Sequence, residues 1–166
     1  MRLLTLSLAV SLLAPQIQAQ DKRASPHETI TGKVNGKTVT IAYGRPSLKG
    51  RKAVGGTLAP FGKVWRTGAD EATVLTTDAD LQVGTLTVPK GSYTLFTIPG
   101  EKEWTLIVNK KAKQWGAFEY KEAEDLGRTP MKVRALTTPV EQFTIAVRDN
   151  QLVMSWENTE ASVALK

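Results

Sequence analysis

Arg45 and Arg66 stand at the two ends of a stretch in which little else is regular. Arg45 precedes Pro46 and Arg66 lies two residues before Gly68, so each sits beside a residue with special backbone constraints. A guanidinium is a planar fork that can bind a carboxylate or phosphate through paired N–H bonds. Tyr43 and Trp65 add stacking surfaces, and Lys49 and Arg51 add further cations. The stretch 44–72 is therefore the expected ligand-binding segment, suited to an anionic small molecule or glycan. Glu71 completes the set in one of two ways. It contacts the ligand, or, with Asp70, it pairs internally with Arg66 and fastens the loop.

Most catalytic sets are absent. The chain has no cysteine, which removes disulfides, thiol nucleophiles and Cys-based zinc sites. His27 is the only histidine, so a His-rich metal site cannot be built, and a Ser-His-Asp triad would rest on a residue beside an expected mobile lead-in. Asp70 and Glu71 are adjacent and would face opposite sides of an extended segment. A carboxylate pair for glycan hydrolysis would need a distant partner such as Asp78, Asp80 or Glu157. Asp78 and Asp80 read as turn residues rather than calcium ligands, and Trp104, Trp115 and Trp156 as core or sheet-face residues. The run from Gly50 to Thr57 has the look of a phosphate loop, but Gly56 stands where the lysine belongs. What survives is an anion cradled by the glycine amides with Arg51 or Lys52, or simply a flexible basic hairpin tip. No cofactor is implied.

The elements that must hold this stretch are strands. The stretch itself carries six of the chain's 13 glycines and shows neither a strand nor a helix period. Before it, Ile30 and Val34 lead through Asn35-Gly36 to Val39, Ile41 and Tyr43, the signature of a type I′ hairpin. After it come strand signals at 72–77, 81–83, 85–88, 93–98, 104–108, 131–136, 140–147, 152–156 and up to Leu165, separated by turn residues. Residues 114–120 could add a short irregular strand. One short helix is expected at 121–126, capped by Gly127. About ten short alternating strands predict an all-β fold, an antiparallel β-sandwich, jelly-roll-like or a partly open barrel.

The 166 residues suit one domain at 27–166, after a flexible lead-in at 20–26 and a signal peptide at 1–19. Arg2, the leucine-rich run 3–13 and a cleavage position after Ala19 carry that expectation of export to the periplasm or extracellular space. No later stretch is apolar enough to span a bilayer. The net charge of +6 is concentrated, with eight cations and no acid between Thr29 and Ala69. Local positive potential favours anions, while export and the modest overall charge argue against nucleic acid.

Tyr43-Gly44-Arg45-Pro46-Ser47-Leu48-Lys49-Gly50-Arg51 and Val64-Trp65-Arg66-Thr67-Gly68-Ala69-Asp70-Glu71-Ala72-Thr73 resemble the domain-of-unknown-function family 2911, a set of exported bacterial proteins. The segments at 93–100, 104–106, 140–145 and 156–159 fit the same pattern. Asp70 departs from it, where asparagine is expected, and so does Ala53, where a bulkier residue is expected. The resemblance implies export and a single domain, and brings no activity with it. The residues themselves favour a non-catalytic binding module for an anionic small molecule, a glycan or an envelope partner protein. The alternatives are a carboxylate-dependent hydrolase acting on an envelope glycan and a purely structural envelope protein.

Overall fold

A computed structural model describes residues 23–166. The expected signal peptide, and the lead-in up to residue 22, lie outside the described residues. Nine strands follow in order: β1 His27–Val34, β2 Lys37–Gly44, β3 Thr73–Thr77, β4 Leu81–Val83, β5 Leu86–Val88, β6 Gly91–Ile98, β7 Glu103–Asn109, β8 Asp125–Arg148 and β9 Gln151–Ala164. Seven of them form one sheet in the order β1-β2-β3-β6-β7-β8-β9, and β4 and β5 form a separate ribbon. All neighbouring strands are antiparallel. Of the expected arrangements, the partly open barrel is the one seen.

The sheet curls until its ends approach each other. A Cβ added to Gly32 of β1 would lie 2.5 Å from Val147 Cβ of β8, so only glycine permits this closeness. Tyr43 at the end of β2 likewise accepts the Ile145 N–H at 3.0 Å. The Asn35-Gly36 turn takes the positive φ values its sequence predicts, 50° and 84°.

The long stretch after β2 closes the concave side. Leu48, Ala53, Val54, Ala59 and Trp65 are buried there with the inward residues of the strands. Trp65 lies at the centre, stacked on Trp156 at 5.6 Å and edge-on to Phe143 and Trp104. Paired bonds between the Trp65 and Thr97 backbones (2.8 and 3.0 Å) fix its depth. The loop is thus the second layer of the core.

Three local expectations need correcting. The helix at 121–126 is only a 3-10 turn at Glu122–Glu124, after which β8 begins. A segment that short is marginal as a helix alone, and pairing of Asp125 to Lys132 with β7 wins. Gly127 is not a helix cap; it makes room for Leu86, which would lie 2.6 Å from a Cβ there. The two strands expected at 131–136 and 140–147 are parts of the single 24-residue β8, whose register with β9 shifts between Ala135 and Thr144. Residues 114–120 form turns with one isolated bridge, Glu71 to Trp115, rather than a strand.

Candidate functional site

Of the cations expected to bind a ligand, Arg45 and Arg51 are engaged by the protein itself. Arg45 donates from Nε to the Phe143 carbonyl and from Nη2 to Thr144 Oγ1, while its Nη1 lies 3.2 Å from Glu28. Arg51 donates to the Leu48 and Ser47 carbonyls and so braces its own turn. The Lys49 backbone N–H donates to Glu141 Oε1 at 2.9 Å. An anion does sit in the glycine-rich tip, and it is internal: Glu157 Oε2 accepts the N–H groups of both Ala53 and Val54 at 3.1 Å.

The two expected stacking surfaces must also be reassigned. Trp65 is 4% exposed and Tyr43 2% exposed, because both rings belong to the core that the loop seals. The Tyr43 hydroxyl donates to Glu28 Oε2 at 2.8 Å. Burial, more than the other influences on it, pushes its ionisation up to about 12. Arg66 forms no ion pair with Asp70 or Glu71. Its Nε is shielded from solvent without a hydrogen bond among the described residues, while those two carboxylates face elsewhere.

They face His27. Its Nε2 lies 3.0 Å from Asp70 Oδ2 and 3.6 Å from Glu71 Oε2. Adjacent carboxylates were expected to point apart, and the reason they converge is a turn. Asp70 has φ 62° and Thr67 φ 57°, so the segment is not extended. Thr67 is β-branched and unusual in this region. Thr73 Oγ1 holds its carbonyl at 2.6 Å, and its own hydroxyl lies 3.1 Å from Thr97 Oγ1. Gly44 completes the fit, since a Cβ there would lie 2.3 Å from the Ala69 carbonyl oxygen.

The same segment recruits a second loop. Ala72 N–H donates to the Gln114 carbonyl at 3.0 Å, and Gly116 N–H to the Asp70 carbonyl at 3.1 Å. Between this loop and the outer face of β1, β2 and β3 lies a cavity of about 640 Å³. Glu71, His27, Arg23, Gln114, Trp115 and Lys113 are among its lining residues. Arg23 Nη2 pairs with Glu71 Oε1 at 3.1 Å, leaving Glu71 Oε2 shielded and without a hydrogen bond. Gln114 is 4% exposed. Its Nε2 donates to Asn109 Oδ1 and the Lys111 carbonyl, which fixes the amide's orientation. Its Oε1 is left a buried acceptor without a hydrogen bond among the described residues. Trp115 is 54% exposed, whereas Trp104 and Trp156 are in the core as expected.

Of the residues singled out from sequence, Glu71 and Tyr43 border this cavity; Arg45, Lys49, Arg51, Trp65 and Arg66 do not line it. Sequence reasoning set His27 aside and missed Gln114. It assigned Trp115 to the sheet or core. The signal available was the cluster of Trp115, Phe118 and Tyr120 among lysines, an aromatic run without strand alternation.

Among the described residues no group of three His, Cys, Asp or Glu side chains is arranged to hold a metal ion, and no helix is long and apolar enough to cross a membrane. No curated protein and no solved structure matches the chain. A family model described as protein of unknown function (DUF2911) matches residues 25–165, most of the chain, and the protein belongs to that family.

Proposed function

We propose that the protein is an exported, non-catalytic binding module whose outer cavity takes a small glycan. The observation that carries this reading is the pair of shielded acceptors that take no hydrogen bond among the described residues, Glu71 Oε2 and Gln114 Oε1, in a cavity bordered by the half-exposed Trp115. Buried acceptors without donors are costly. A ligand bearing O–H or N–H groups relieves that cost, and an indole face suits the apolar side of a sugar ring. Arg23, Lys113 and His27 add donors at the same cavity, but Glu28, Glu71 and Glu119 line it too, so it suits a neutral glycan better than an acidic one.

Calorimetric titration with soluble N-acetylglucosamine oligomers, whose acetamido N–H groups match the two acceptors, tests the proposal. Saturable binding that weakens about tenfold in Glu71→Gln is the expected result. Absence of binding to neutral and acidic oligosaccharides alike would remove the reading.

A second reading, hydrolysis of such a glycan, is favoured by one arrangement: His27 held between Asp70 and Glu71. A histidine fixed by a carboxylate can act as a general acid or base. Product release from the same oligosaccharides, abolished in His27→Ala and Glu71→Gln with the fold intact, would replace the binding-module reading by this one.

A further inference from the structure

Two other arginines converge far along the chain. Arg134, from the first part of β8, donates from Nε to Glu160 Oε1 at 2.7 Å. Arg148, at the end of β8, donates from Nη2 to Glu160 Oε2 at 2.8 Å. The three meet because both strands bend: β8 loses register with β9 between Ala135 and Thr144, and Glu157 in β9 takes φ 53°. The bend creates two grooves, of about 370 and 350 Å³, that share the Arg134–Glu160–Arg148 bridge.

Asp149 supplies a second carboxylate to the smaller groove, but in the larger one the charges do not balance. Burial alone would raise the Glu160 carboxyl, but the hydrogen bond and charge of Arg134 and the charge of Arg148 outweigh it and hold the group below the usual carboxylate range. Glu160 therefore stays ionised, and two guanidiniums around one carboxylate leave one positive charge in surplus. Each arginine gives a single hydrogen bond to Glu160, and the side chains are 63% and 53% exposed. Among the described residues, most of each fork has no acceptor. The larger groove is also lined by Thr137 and Thr138, which are hydroxyl donors, and by Ser155, whose Oγ donates to Glu160 Oε2 at 3.3 Å.

We propose that this groove binds the phosphate of a small phosphomonoester, with Arg134 and Arg148 as its ligands and Glu160 as the residue that positions both. A planar carboxylate fills one fork. A tetrahedral dianion accepts from two forks and a hydroxyl at once, and its charge exceeds the local surplus. The groove shares no lining residue with the cavity at Glu71, so the two proposals stand or fall separately.

The test is calorimetric titration of the purified protein at low salt with inorganic phosphate and with glycerol 3-phosphate. Saturable one-site binding is expected, weakened by about tenfold or more in Arg134→Gln and in Arg148→Gln and unchanged in Trp115→Ala. Cooperative thermal unfolding checks that each variant is folded. Thr138→Val removes a hydroxyl without touching the ion bridge and, should an arginine variant not fold, is expected to weaken binding by about threefold. No saturable binding below about 10 mM, or binding that survives both arginine substitutions, overturns the proposal. Cosedimentation with vesicles containing phosphatidic acid, a lipid phosphomonoester, that requires Arg148 would place the phosphate on a lipid headgroup. Binding of the soluble phosphates alone would place it on a free metabolite.

Discussion

His27 Nε2 and Asp70 Oδ2 lie 3.0 Å apart across 43 residues of chain, tying the first residue of β1 to the far end of the loop that closes the barrel. The contact depends on the left-handed backbone of Asp70. A partly exposed pair of this kind contributes little by itself, so the backbone should dominate the effect of substitution. Asp70→Ala is expected to cost about 1–2 kcal/mol, mostly because alanine tolerates that left-handed region less well than aspartate does. Asp70→Gly should cost clearly less. Urea unfolding of the two variants decides, and equal losses would show that the turn is not strained as described.

Glu157 is expected to hold the basic tip of the loop, since its carboxylate accepts the N–H groups of Ala53 and Val54. Glu157→Ala should cost about 1–3 kcal/mol by leaving both amides unpaired. It should also loosen the adjacent Arg51-Lys52 pair. Limited trypsinolysis reads this directly: cleavage after residue 51 or 52 should quicken in the variant before the rest of the domain is cut. An unchanged digestion pattern would mean that the tip is held by its apolar residues alone.

Trp65 should behave as a core residue rather than a ligand contact. Trp65→Ala is expected to cost about 3–5 kcal/mol, because the ring packs against Trp156, Phe143 and Trp104. A loss below about 1 kcal/mol by denaturant unfolding would contradict its placement.

These residues show what a sequence can and cannot reveal here. Asn35-Gly36 was legible because a turn's chemistry is local, and the alternation of Val39, Ile41 and Tyr43 was legible because one face of β2 is buried. The roles of Trp65 and Arg45 were not, since an aromatic ring or guanidinium has the same type whether it meets a ligand or the protein. Glu71 was found without its surroundings. Gln114 and Trp115 reach it through a single bridge between two irregular loops, and no periodicity encodes such a pairing. The long β8 was hidden because the turn-like residues 136–139 only shift its register without ending it.

Alkaline pH should unfold the protein through two phenols, the buried Tyr43 and the partly buried Tyr120. Tyr43 and Tyr120 are both pushed up to about 12, chiefly by burial. An unfolded tyrosine ionises near 10. Between about pH 10 and 12 the unfolded chain has therefore released protons that the folded chain retains, and stability must fall as pH rises. The contribution of Tyr43 is fully present below about pH 10 and is on the order of 2 kcal/mol. Thermal melts across this range should show the decline, and Tyr43→Phe, though less stable at neutral pH, should show a shallower one.

The most direct test of the cavity's role uses the indole at its edge. Trp115 is the one exposed tryptophan, since Trp65, Trp104 and Trp156 are buried. Intrinsic fluorescence during titration with N-acetylglucosamine oligomers should therefore change saturably, with the change lost in Trp115→Ala and shifted to about tenfold higher concentration in Glu71→Gln. A saturable change that persists in Trp115→Ala, or no change with any neutral or acidic oligosaccharide, would contradict the assignment of this cavity as a glycan site.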